Sequence, residues 1–196
     1  MVIAYPFQSG LYLNITNRCT NACRFCLRRE MDGVGGYSLW LAKEPDTEEI
    51  VESIRKEMHP GIAEVVFCGY GEPLLRPEAV AGAAEFVKRN YPAPVRVNTN
   101  GLANAFHGRN IIPKIAPHID CISVSLNAEN ARKYQELCRP SFGLESYGYL
   151  LDFIRECKKN IPRVIASAVY GTGADLDACR AVADDLGAEF RIRQRY

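Results

Sequence analysis

Strand-length apolar runs alternate with helix-length segments along this chain, and that alternation constrains its fold more than any other feature. The runs fall at residues 11–15, 64–68, 95–99, 121–126, 163–169 and 190–193. Segments with helical spacing lie between them, at 47–58, 77–90, 110–116, 128–137, 147–159 and 175–186. Two helix starts are chemically marked. Pro45-Asp46-Thr47-Glu48-Glu49 offers a cap and an acidic first turn, and Pro77 stands where its missing N–H costs nothing. Strands separated by helices predict a parallel sheet joined by right-handed crossovers. Six such units fall short of the eight that close a full barrel. The expected fold is therefore α/β, a partial (β/α)6 TIM-like barrel or an open curved sheet with helices outside. With 196 residues and no linker or repeat, residues 1–196 read as a single domain. Residues 28–45, with Gly33, Gly35 and Gly36, form one long irregular stretch, either a loop over a site or a surface insertion.

Parallel α/β architectures bind ligands at the carboxyl ends of their strands. Here the first run leads into Asn17 and the segment Cys19-Thr20-Asn21-Ala22-Cys23-Arg24-Phe25-Cys26. The second leads into Gly69-Tyr70-Gly71-Glu72-Pro73, the third into Asn98-Thr99-Asn100-Gly101, and the fourth into Ser123-Val124-Ser125-Leu126-Asn127. The fifth ends in Tyr170-Gly171-Thr172-Gly173. One such turn alone is ordinary loop chemistry; in register with a thiol cluster, together they predict a binding mouth. The C-x3-C-x2-C spacing gathers three thiols without a fourth. A four-iron cubane takes one cysteine per iron, so this triplet would leave one iron open to a further ligand. A zinc site and a redox thiol set are the other readings, although His59, His107 and His118 lie far apart as sources of a fourth zinc ligand. Cys68, Cys121, Cys138, Cys157 and Cys179 occur singly and suit small buried hydrophobes.

Lys and Arg number 24 against 23 Asp and Glu, so no overall basic field signals nucleic-acid binding. No run of 18 apolar residues marks a membrane span, and Met1-Val2-Ile3-Ala4-Tyr5-Pro6 lacks the basic region of a secretory signal. A reducing, cytoplasmic setting is expected.

The triplet with an aromatic before its third cysteine, the Gly71-Glu72-Pro73 turn, and the Asn98-Thr99-Asn100-Gly101 and Ser123-Val124-Ser125 strand ends resemble the radical S-adenosylmethionine (SAM) superfamily. The resemblance runs from Leu11 to about Arg193. More narrowly, Leu13-Asn14-Ile15-Thr16-Asn17-Arg18-Cys19-Thr20-Asn21, Phe67-Cys68-Gly69-Tyr70-Gly71-Glu72-Pro73 and Arg96-Val97-Asn98-Thr99-Asn100-Gly101-Leu102 resemble its small TatD-associated branch. Members of that branch occur near, or fused to, TatD-type metal-dependent hydrolases, so the resemblance implies such a hydrolase as a functional neighbour. The resemblance implies a single radical SAM core domain in which Cys19, Cys23 and Cys26 each ligate one iron of a [4Fe-4S] cluster. The fourth iron would hold the amino and carboxylate groups of SAM. Phe25 would lie with its backbone near the adenine. Gly71 and Glu72 would accept the cofactor's ammonium, with Tyr70 in place of the family's first glycine.

Asn98, Asn100, Ser123 and Ser125, with Asn127, are suited to ribose hydroxyls and the methionine carboxylate. The period-two rule puts Asn98 and Asn100 on one face, and likewise Ser123, Ser125 and Asn127. Each also has a local reading: Glu72 as a helix cap or ion pair, the amides and hydroxyls as partners of their own turns. The implied reaction cleaves SAM reductively to methionine and a 5′-deoxyadenosyl radical, which abstracts hydrogen from an unidentified substrate. Its electron comes from an external one-electron reductant of flavodoxin or ferredoxin type.

For that substrate the resemblance allows a small nucleobase-like or phosphorylated metabolite, or a macromolecule docked on the open side as in activases. No C-x-x-C set follows the sixth run, so no auxiliary cluster is expected. Arg191, Arg193 and Arg195 alternate along the last run, and Arg139 follows the fourth; each is either an anion contact or a solvated residue. Tyr134, Tyr147 and Tyr149 read as packing aromatics. An iron–sulfur binding or electron-transfer module without turnover is the reading from another class.

Overall fold

The computed structural model describes residues 1–194. Arg195, one of the candidate anion contacts, lies outside them. Strands β1 (Ala4–Phe7) and β2 (Gly10–Leu13) pair antiparallel, and a separate small hairpin joins β3 (Gly33–Val34) to β4 (Tyr37–Ser38). Beyond β2 the main sheet continues through β5 (Glu64–Phe67), β6 (Val95–Thr99), β7 (Cys121–Ser125), β8 (Arg163–Val169) and β9 (Glu189–Arg193). Its order is β1-β2-β5-β6-β7-β8-β9, and every pairing from β2 onward is parallel. The two ends, β1 and β9, do not pair with each other, so the sheet stays open as the count of six parallel units requires.

Helices α1 (Thr47–Glu57), α2 (Pro77–Asn90), α3 (Ala103–His107), α4 (Ile112–Ile115), α5 (Ala131–Cys138), α6 (Glu145–Asn160) and α7 (Leu176–Asp185) occupy the crossovers. Asp46 caps α1 in a reciprocal box with Glu49, as its sequence predicts. Helix α5 starts at Ala131, later than the expected 128, because the Asn130 side chain accepts from the Lys133 N–H and fixes the boundary there. The expected helix at 110–116 shortens to α4 followed by a 3-10 turn, Ala116–His118. Strand β1 was not expected: it contains Pro6, which a sheet accepts at its edge because the edge needs no donor there.

Alternation along the strands separates two faces. Leu11, Leu13, Val65, Phe67, Val95, Val97, Ile122 and Val124 pack with Ile50, Ile54, Val80, Val87, Leu150 and Phe153 from the helices in one continuous buried core. Each such side chain contributes about 1.5–3 kcal/mol by leaving water. The neighbouring residues in register, among them Tyr12, Arg96, Asn98, Ser123, Ser125, Ser167 and Arg191, point the other way onto an inner face free of helices. The carboxyl ends of the six parallel strands bring the polar turns to one rim of that face.

Candidate functional site

Residues 14–16 leave β2 buried, and the chain then opens into the loop that carries the thiols. Main-chain bonds fasten this loop to the end of α5. The Ala22 N–H donates to the Cys138 carbonyl at 3.0 Å, the Arg24 N–H to Leu137 at 2.9 Å, and the Ser141 N–H to Thr20 at 2.8 Å. The Ser141 hydroxyl donates to that same Thr20 carbonyl at 2.8 Å, and Asn21 Nδ2 donates to the buried Tyr134 hydroxyl at 3.0 Å. Cys19, Cys23 and Cys26 are all half-buried, and Phe25 packs its ring against the main core. Burial, reinforced by the nearby Glu72 carboxylate, pushes the Cys19 thiol up to about 12, and burial also raises Cys26. A hydrogen bond with Cys138 pulls the Cys23 thiol down. Cys138 is buried in the core, as a singly placed cysteine suggests, and it also meets Cys23, a contact that sequence spacing did not reveal.

The turn after β5 closes against the thiol loop backbone to backbone. A Cβ on Gly71 would stand 2.3 Å from the Thr16 carbonyl oxygen and 2.6 Å from that of Arg18, so only glycine fits. The adjacent Glu72 N–H donates to Arg18 O at 2.8 Å. The Glu72 carboxylate is buried and accepts from Leu74 N–H at 3.1 Å, Thr99 Oγ1 at 2.7 Å and Asn100 N–H at 2.6 Å. It thus clasps the end of β5 to the end of β6, the local reading of this residue. Burial outweighs these donors and raises its carboxyl to about 7. Tyr70, at the family's glycine position, is buried against Tyr5 and Leu39 and stacks edge-on with Trp40 at 5.2 Å. Its hydroxyl donates to the Met31 carbonyl.

The two asparagines after β6 divide their work. Asn98 lies on the inner face and accepts from Arg96 Nη1 at 2.6 Å. Asn100 lies past the last strand residue, where the period-two rule no longer binds it. It donates to Thr20 Oγ1 at 2.8 Å and to Cys19 Sγ at 3.6 Å, and accepts from Leu102 N–H at 3.0 Å, which braces the thiol loop. On β7, Ser123 is buried opposite Asn98. Ser125 and Asn127 both accept from Arg193 Nη2 at 3.3 Å, which places Arg193 on the inner face beside them. Arg139, the other candidate anion contact, is an exposed left-handed cap ending α5.

Residues 28–45 form an ordered cover. Asn17 Nδ2 donates to Leu41 O at 2.7 Å while Asn17 Oδ1 accepts from Leu41 N–H at 3.1 Å. Asn14 donates to Leu39 O at 2.8 Å, and Arg18 grips Glu44 with two bonds of 2.7 and 3.1 Å. Of the two readings of this stretch, the loop over the site is the one these contacts describe.

A sequence profile of the Radical SAM superfamily matches residues 13–186. The chain belongs to that superfamily. Radical SAM enzymes use a [4Fe-4S] cluster and SAM and draw electrons from an external reductant. Among relatives, the GTP 3',8-cyclase of Paenarthrobacter nicotinovorans is 31% identical over 138 residues, covering 68% of this chain and 36% of the relative. A probable dual-specificity RNA methyltransferase RlmN of Trichodesmium erythraeum is 28% identical over 148 residues, covering 73% of this chain and 39% of the relative. The chain thus matches little more than a third of the length of either. Among solved structures, a radical SAM methyltransferase from Sphaerobacter thermophilus superposes over 97% of this chain and 68% of its own, with TM-score 0.62 at 17% identity. Methylornithine synthase (PylB) superposes over 94% of this chain and 52% of its own, with TM-score 0.63 at 16% identity. Both likenesses establish the TIM-barrel-like fold of the open sheet.

The thiol loop of this radical SAM superfamily chain fits a cubane cluster. Its donors would be three half-buried thiols strung along one loop, enough for one on each of three irons, and among the described residues no three Cys, His, Asp or Glu converge on a single ion. Beside them Asn21 Oδ1 is buried with no hydrogen-bond partner among the described residues. The fastening by Thr20, Asn21, Tyr134 and Ser141 was missed in the sequence. Tyr134 showed only the helical spacing of a packing residue, and main-chain bonds leave no side-chain signature.

Proposed function

We propose that this chain is a radical SAM core domain whose Cys19, Cys23 and Cys26 hold a [4Fe-4S] cluster and whose strand ends hold SAM. The observation that carries the reading is convergence: the half-buried thiol loop, the Gly71 turn packed against it, and Asn98, Ser123 and Ser125 meet at one rim of one sheet. When bound, reduced cluster and SAM supply methionine and a 5′-deoxyadenosyl radical for hydrogen abstraction. The chain's own residues do the positioning. Glu72 holds two strand-end loops together, so in this turn the backbone carbonyls, with Gly71 giving close approach, are the acceptors offered to an ammonium. Asn100 steadies the loop at Cys19, and the Phe25 backbone borders the adenine. Ser123 and Ser125 offer hydroxyls on the inner face, and the 28–45 segment is tied to the start of the thiol loop through Asn17 and Leu41.

The reductant is of flavodoxin or ferredoxin type. The TatD-associated branch, and with it a TatD-type hydrolase as functional neighbour, rests on the three sequence segments that resemble it. Among the described residues no helix is long and apolar enough to cross a membrane.

The test is anaerobic reconstitution with iron and sulfide, followed by reduction in the presence of SAM. Release of 5′-deoxyadenosine and methionine is expected, with loss of both on Cys23→Ala. A reconstituted protein that shows cluster absorbance but neither binds nor cleaves SAM would instead be an electron-transfer module.

A further inference from the structure

The inner face carries more positive charge than the protein neutralises. Glu64, Arg96, Cys121, Arg163 and Arg191 line one cavity of about 340 Å³, bounded below by the amino ends of the strands. Arg96 closes on Glu64 through two bonds of 3.0 and 2.6 Å. Arg163 closes on Glu189 in the same forked manner, through Nε at 2.9 Å and Nη2 at 2.7 Å. Asp120, the remaining acid on the rim, accepts from Lys88 Nζ and from the Val95 N–H, each at 2.7 Å. Every carboxylate at the cavity is therefore already matched. Arg191 makes no hydrogen bond or ion pair within the described residues, and its guanidinium fork is left open.

Its height on the sheet gives this charge a use. Arg191 pairs in register with Ser167, which pairs with Ser125. Arg193, the next inward-facing residue of β9, reaches Ser125 and Asn127 at the rim. Arg191 thus stands one inward step, about 7 Å along the strand, from the residue that touches the candidate cofactor positions.

We propose that Arg191 anchors the substrate and that the substrate is a small molecule bearing a carboxylate or phosphate, docked between the Glu64–Arg96 and Glu189–Arg163 pairs. The inference rests on the radical SAM reading for the identity of the ligand as substrate, while the anion site itself stands on its own geometry. A guanidinium presents parallel donors that match either oxyanion. The two flanking carboxylates are hydrogen-bonded to Arg96 and Arg163, so Arg191 acts on them through its field alone.

The experiment titrates the reconstituted protein at low ionic strength with inorganic phosphate and, separately, with succinate. Saturable binding of at least one is expected, with the stronger probe naming the group. Arg191→Gln should weaken it about tenfold or more, and Arg191→Lys less, while Arg89→Gln on the far side of α2 leaves it unchanged. Phenylglyoxal labelling of the unaltered protein, read by peptide mass spectrometry, supplies a measure free of folding effects: the bound anion should protect Arg191 and not Arg89. No saturable binding, or binding that neither depends on Arg191 nor protects it, overturns the proposal. SAM affinity is measured in the same preparations. Its absence throughout counts against the radical SAM reading and leaves the anion result standing.

Discussion

Glu72 shows how a single carboxylate can tie a site together at a cost that depends on pH. Three donors converge on it, yet burial holds its carboxyl at about 7, against an ordinary 4.5. Between those values the native chain keeps a proton that the unfolded chain has released, so rising pH favours unfolding. The residue's contribution is whole below about 4.5 and gone above about 7. Glu72→Gln cannot titrate. The stability of the unaltered protein relative to this variant should therefore fall by up to about 3 kcal/mol across that window. Urea unfolding of iron-free protein at several pH values measures it, and a difference constant with pH would place the raised carboxyl elsewhere. The residue was readable in the sequence as an acid in a cofactor turn, but its clasp was not. Thr99 and Asn100 lie 27 and 28 positions away, and only the parallel register of β5 and β6 brings them within reach.

At the scale of elements, the thiol loop depends on α5 for its shape. Tyr134→Phe removes the acceptor for Asn21 Nδ2 in a buried setting, which costs about 1–3 kcal/mol. Tyr147→Phe, whose hydroxyl donates to Ala128 O at 3.1 Å away from the thiols, loses stability in a comparable way. Only Tyr134→Phe should also lower the iron retained after reconstitution, measured as iron per chain. Equal iron in both variants would confine the Asn21–Tyr134 bond to stability. The helix itself was evident from its spacing, as were α1, α2, α6 and α7 and all of the parallel strands. What the sequence hid were elements too short to show a period, namely β3, β4 and α3, and the proline-bearing β1.

Across the whole molecule, order should fall away from the centre of the sheet. Strands β6, β7 and β8 are each paired on both sides and backed by helices, whereas the β3–β4 hairpin pairs only with itself. Amide hydrogen exchange is expected to be slowest in those three strands and fastest in the hairpin, and uniform protection would contradict that gradient. Tyr70 complicates a simple division between fixed sheet and movable cover. It belongs to the turn at the end of β5, yet its hydroxyl is bound to Met31 and its ring to Trp40, both in the cover. Lifting the cover therefore pulls on the turn. Whatever compound that turn grips, its affinity and the opening of the cover form one thermodynamic cycle: an event that opens the lid loosens the grip, and the gripped compound holds the lid shut by the same free energy.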